Sequence, residues 1–158
     1  MHEYTHAVQA APWIGNDHPQ SSANMFVPCL LNEGLPHVAG LTVGTSTFDE
    51  DLRIRKRLIK NKRVNTFKDY SSSGILELYK KDRPPHCMPP NPNYPLGYTI
   101  GFLTVEALSA IGGSESAMNL YKRTGAGETF QQAFKGVYGI SWNEAEPILA
   151  EVVASMYE

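Results

Sequence analysis

Two cysteines, Cys29 and Cys87, in 158 residues are too few for a disulfide framework, although a single bridge between them stays open. No stretch of about 18 apolar residues occurs, so no membrane span is expected. The longest candidate, residues 94–113, is interrupted by Pro95, Gly97, Thr99, Gly101, Thr104, Glu106 and Ser109 and reads as a buried helix. No basic segment followed by an apolar run opens the chain, so no secretion signal is expected, and the compartment is left undetermined. Neither charge sign dominates. Fourteen Lys and Arg against sixteen Asp and Glu give a net charge of −2, which argues against nucleic acid as a partner. Alternating strand patterns are nearly absent, so an all-α fold is predicted. With 42% hydrophobic residues, one domain over residues 1–158 is expected.

What is present is a series of helical segments separated by Pro and Gly. Residues 2–11 suit a short helix ending before Pro12. From Gln20 to Val43, Phe26, Leu30, Glu33, His37 and Leu41 follow a helical period, while Pro28 and Pro36 predict two segments or a kink. Residues 49–63 begin with acids and end with bases, as a helix dipole favours, and read as an exposed helix. A short helix at 74–81 precedes the Pro-rich stretch 84–95, read as a structured loop. Further helices are predicted at 96–111, 114–123 and 127–138. A last one starts at Ser141, with Glu144 completing a capping box, and runs to about Met156.

His2-Glu3-Tyr4-Thr5-His6 carries the chemistry. Residues four apart on a helix share a face about 6 Å along the axis, so His2 and His6 can both reach one metal ion. Glu3, roughly 100° round from His2, is placed to handle a proton without filling the coordination shell. The residues after His6 do not continue into a metzincin pattern, so a third ligand must come from elsewhere. Glu33 is the candidate, because an unpartnered acid among Phe26, Leu30 and Leu41 would be costly. Asp49, in a loose G-T-x-x-x-D context, fits less well. His37, four residues beyond Glu33, could support a ligand, contact substrate or act as an alternative ligand. Glu106 interrupts an apolar helix and could orient a ligand His or replace Glu33. His18 and His86 read as surface residues. The basic run from Arg53 to Arg63 reads as a solvated face, and Cys29 as a buried thiol.

His2-Glu3-x-x-His6 followed by Glu33-Gly34-Leu35-Pro36 resembles the gluzincin superfamily of zinc metallopeptidases, in which H-E-x-x-H precedes a second helix bearing a Glu ligand. The stretches from Tyr98 to Gly113 and from Glu128 to Ser141 look like the helical C-terminal lobe of that family. The resemblance implies Zn²⁺ on His2, His6 and Glu33, with Glu3 as general base for peptide hydrolysis. It also implies an oxyanion-binding Tyr, matched here by Tyr98, with Tyr94 as second choice. The interval between His6 and Glu33 is longer than in thermolysin-like members, and Pro36 replaces a small residue. Such peptidases carry a β-sheet before the metal helix, so the resemblance implies either a fragment or shortened relative of a larger peptidase, or a partner chain or second copy that supplies the sheet. The expected substrate is a peptide or protein. The alternative is a helical interaction module that keeps the scaffold without catalysis.

Overall fold

The computed structural model describes residues 1–15, 26–60, 70–84 and 96–157, with the side chains of 96 and 97 left aside. The described residues form eight α-helices and one 3-10 turn, with no strand among them, as the pattern of the sequence predicts. They are α1 (His2–Ala10), a 3-10 turn (Ala11–Trp13), α2 (Cys29–Gly44), α3 (Phe48–Ile59), α4 (Ser72–Lys81), α5 (Leu96–Gly112), α6 (Ser116–Gly125), α7 (Phe130–Tyr138) and α8 (Trp142–Tyr157). The expected loop 84–95, together with Tyr94, Cys87, His18 and His86, falls largely or wholly outside the described residues.

The closest and most extensive helix pair is α2 on α5. Two glycines permit it. A Cβ on Gly34 would collide with the carbonyl of Gly101, and one on Gly101 with the carbonyl of Leu30. Leu30, Leu31, Ile100, Leu103 and Leu108 of these two helices are nearly inaccessible to solvent. Against this pair, α1 packs on α2 and α6, while α4 packs on α8. Trp142 of α8 sits among Phe130, Phe134 and Tyr79, its ring centroid 5.0 Å from that of Phe134. Buried apolar residues run in one cluster from Trp13 to Val153.

Four helix starts, at Thr47, Ser71, Thr129 and Ser141, follow local chemistry. Ser141 accepts from the Glu144 amide at 3.2 Å, and Glu144 accepts from the Ser141 amide at 2.8 Å, completing the predicted box. Thr129 and Gln132 form a second reciprocal box. The start of α2 is different, because its N-cap is Pro28 and offers no side-chain acceptor. Its first amides bond instead to Asp82, with Cys29 N at 3.2 Å from Oδ1 and Leu30 N at 2.7 Å from Oδ2. Asp82 follows α4 and is 2% exposed, so the end of one helix caps the start of another.

Pro28 separates the helical residue Phe26 from α2, in keeping with the two predicted segments, and α2 continues through Pro36 as one element. Cys29 is buried as expected, but it is disulfide-bonded rather than a thiol, and the chain's one other cysteine is Cys87.

Candidate metal centre

α1 and α2 bring together the three side chains proposed as ligands. His6 Nε2 lies 3.2 Å from His2 Nε2, and Glu33 Oε2 lies 3.6 Å from each. Zn–N and Zn–O bonds of about 2.0–2.1 Å in a tetrahedral site put neighbouring donor atoms about 3.3 Å apart. The observed triangle therefore has the size of one tetrahedral face. Its chemistry also fits: two imidazoles and one carboxylate leave a fourth position for water or substrate. The Glu33 side chain is 6% exposed, while those of His2 and His6 keep 31% and 27%, so the carboxylate comes from the interior and the rings lie at the surface.

The protonation of His6 follows from its neighbours. Gln9 Nε2 donates to the Asn32 carbonyl at 3.0 Å and to the Tyr121 hydroxyl at 2.9 Å. Its Oε1 is therefore the acceptor facing His6 Nδ1, at 2.8 Å. Nδ1 carries the hydrogen, and Nε2 keeps its lone pair for the ligand triangle. Gln9 is fully buried. Pro36 makes this arrangement available: it has no amide hydrogen, so the ordinary helical partner of the Asn32 carbonyl is absent and Gln9 occupies that acceptor.

The two rings differ electrostatically in the metal-free protein. The Glu33 carboxylate raises the pKa of His6 above its ordinary value, with burial opposing. Burial chiefly lowers that of His2, and the neighbouring His37 and His6 lower it further. A proton thus resides on His6 before His2, held against Glu33. A divalent cation would displace it and use the same lone pairs.

Glu3, His37 and Tyr98 line a groove that also includes His2. The His37 ring meets His2 edge-on at 4.7 Å between centroids and Tyr98 at 5.1 Å. Tyr98 lies 6.4 Å from His2 by the same measure. His37 Nδ1 donates to the Glu33 carbonyl at 3.0 Å, which holds its ring beside the triangle of His2, His6 and Glu33. The structure therefore brings His2, Glu3, His6, Glu33, His37 and Tyr98 into one region.

Glu106 is elsewhere. Its carboxylate pairs with Arg55 at 3.1 Å, so it neither orients a ligand His nor replaces Glu33. Asp49 lies in the first turn of α3 and is exposed, outside the triangle. Sequence reasoning missed Gln9, Asn32 and Tyr121. Gln9 had a signal, since it follows His6 by three positions on the same helix. Tyr121 is 112 residues from its partner, and no spacing rule reaches it. The chain matches no protein-family model, no curated protein and no solved structure.

Proposed function

We propose that this chain is a zinc-dependent hydrolase of peptide bonds, similar in chemistry to the gluzincin peptidases. One observation carries the reading: His2, His6 and Glu33 present three donor atoms at tetrahedral spacing beside a groove that holds Glu3 and Tyr98. Zinc held by these three residues supplies a Lewis acid that polarises a carbonyl and makes water acidic near neutral pH. Glu3, exposed on the same helical turn as His2, takes the proton of the attacking water and returns it to the leaving amine. The Tyr98 hydroxyl donates to the oxygen on which negative charge develops. Gln9 holds His6 in the tautomer that coordination requires.

The test pairs metal content with turnover. The chain is expected to bind one zinc per molecule and to cleave an internally quenched peptide. Glu3→Gln is expected to keep the zinc and lose cleavage by a factor of about 10²–10⁴, the range for removing a general base. Full activity in that variant would discard the mechanism. Zinc without cleavage of any peptide in a broad library would favour the non-catalytic interaction module instead. No helix among the described residues is long and apolar enough to cross a membrane.

A further inference from the structure

Two stripes of uncharged residues lie side by side away from the ligand triangle. Met1, Tyr4, Thr5 and Val8, from the N-cap of α1 onward, have the i, i+3, i+4, i+7 spacing of one helical face. Leu35, Val38, Ala39 and Thr42 repeat that spacing on α2. Together they line a groove of about 460 Å³, to which Val43, Ser109, Ser114 and Met118 also contribute. At about 100° per residue, Glu33 and His37 project from the opposite side of α2. Among the described residues, none lines both this groove and the one beside the ligands.

A solvated helix face ordinarily carries charge. This one has no charged side chain among the described residues. Its threonine hydroxyls are already engaged, since Thr5 donates to the Met1 carbonyl at 3.1 Å and Thr42 to the Val38 carbonyl at 2.9 Å. The floor is dry and the rims project: Leu35 is 7% exposed, whereas Tyr4 is 68% and Val43 64% exposed.

We infer that two copies of this chain pair through this face about a twofold axis, the α1 and α2 stripes of one copy lying on those of the other. Three properties select a second copy. A symmetric contact brings every residue near the axis against its own counterpart, so a charge there would meet a like charge, and this face has none among its described side chains. The face also holds both projecting side chains and a hollow, so Tyr4 and Val43 of each copy can enter the groove of the other. Finally, two adjoining helices with such stripes are half of a four-helix arrangement, and the twofold axis supplies the other half. The twelve lining residues are about half the 20–30 a side of a standard interface, which sets a weak, micromolar association. The pairing draws on neither zinc nor the peptidase reading.

Sedimentation velocity of the chain from about 1 to about 500 µM, with chelator present, is expected to show monomer giving way to dimer. Tyr4→Lys and Val43→Glu change exposed positions and are each expected to weaken pairing by about tenfold or more, with the thermal melt at low concentration unchanged. Ile148→Glu, at an exposed position on α8, is expected to pair as the unaltered chain does. Hydrogen exchange of the unaltered chain is expected to slow across residues 4–8 and 38–43 as concentration rises, which keeps the test available if a substitution unfolds the chain. A monomer at every concentration would overturn the inference and leave the face to a different protein or an apolar small molecule. A dimer that Tyr4→Lys and Val43→Glu leave intact, equal weakening by Ile148→Glu, or protection that spares residues 4–8 and 38–43 would overturn it as well.

Discussion

Pro36 and Gln9 are coupled through a single carbonyl. With an ordinary residue at 36, the backbone amide would claim Asn32 O, and Gln9 Nε2 would have to share it. Pro36→Ala is therefore expected to leave the fold as stable or more so, and to weaken zinc binding severalfold, as read by competition with a fluorescent chelator. Gln9→Leu removes the whole link. It is expected to cost about 10–100-fold in zinc affinity and, by leaving polar groups unmatched, about 1–3 kcal/mol of stability. Wild-type zinc affinity in Gln9→Leu would sink the link between Asn32 and His6. Glu106 makes the contrasting case. Burial raises its carboxyl pKa above the ordinary 4.5, and Arg55 only partly offsets this. The folded state thus holds that proton more firmly than the unfolded chain. Its contribution to stability is full below about 4.5 and declines as pH rises through the raised value. Denaturant unfolding is expected to show wild type losing ground to Glu106→Gln between pH 4.5 and pH 7, with zinc affinity the same in both. A zinc defect in that variant would return Glu106 to the metal centre.

Among the helices, α2 holds the site together and depends on distant residues for its position. Asp82 bonds to the first two amides of α2, and Glu33 lies one turn further in. Asp82→Ala is expected to cost about 2 kcal/mol by denaturant unfolding, the upper range for a lost cap. Gly34→Ala is expected to cost about 3 kcal/mol, the upper range for over-packing, because both colliding groups are backbone. These two effects explain what the sequence could and could not reveal. Ser141 and Glu144 are three apart and each satisfies the other, so that helix start was readable from spacing alone. His2 and His6 share a face for the same local reason. Pro28 was readable as a break between two segments, whereas Pro36 is carried inside α2 with the acceptor it leaves vacant bonded from outside by Gln9. Glu33 could be found from its apolar surroundings, whereas Tyr121 reaches Gln9 only through the packing of α6 on α1.

Across the whole molecule, α1 is held less firmly than the helices of the core among the described residues. Its N-cap has no side-chain hydrogen bond, and Glu3, Tyr4, Val8 and Met1 are exposed. Its buried residues are Thr5 and Gln9, both polar, whereas α5 and α8 insert Leu103, Val105, Leu149 and Val153 into the core. Local opening is therefore cheaper at α1 than at α5 or α8, and two of the three proposed ligands sit on it. A bound cation would tie His2 and His6 to Glu33 and oppose opening of that helix in particular. At a free concentration 100 times Kd it would add about 2.7 kcal/mol to the free energy of any opening that breaks the site. Hydrogen exchange is expected to show this as about 100-fold slower exchange of the α1 amides with zinc than with chelator. Amides of α5 that open only by global unfolding should slow by the same factor, and those of α8 that exchange by local fluctuation should not change. Equal α1 exchange in the two conditions would mean that the metal does not join α1 to α2. The Glu33→Ala chain separates the causes: it keeps both histidines, removes the ligand on the buried side, and is expected to exchange rapidly through α1 with or without zinc.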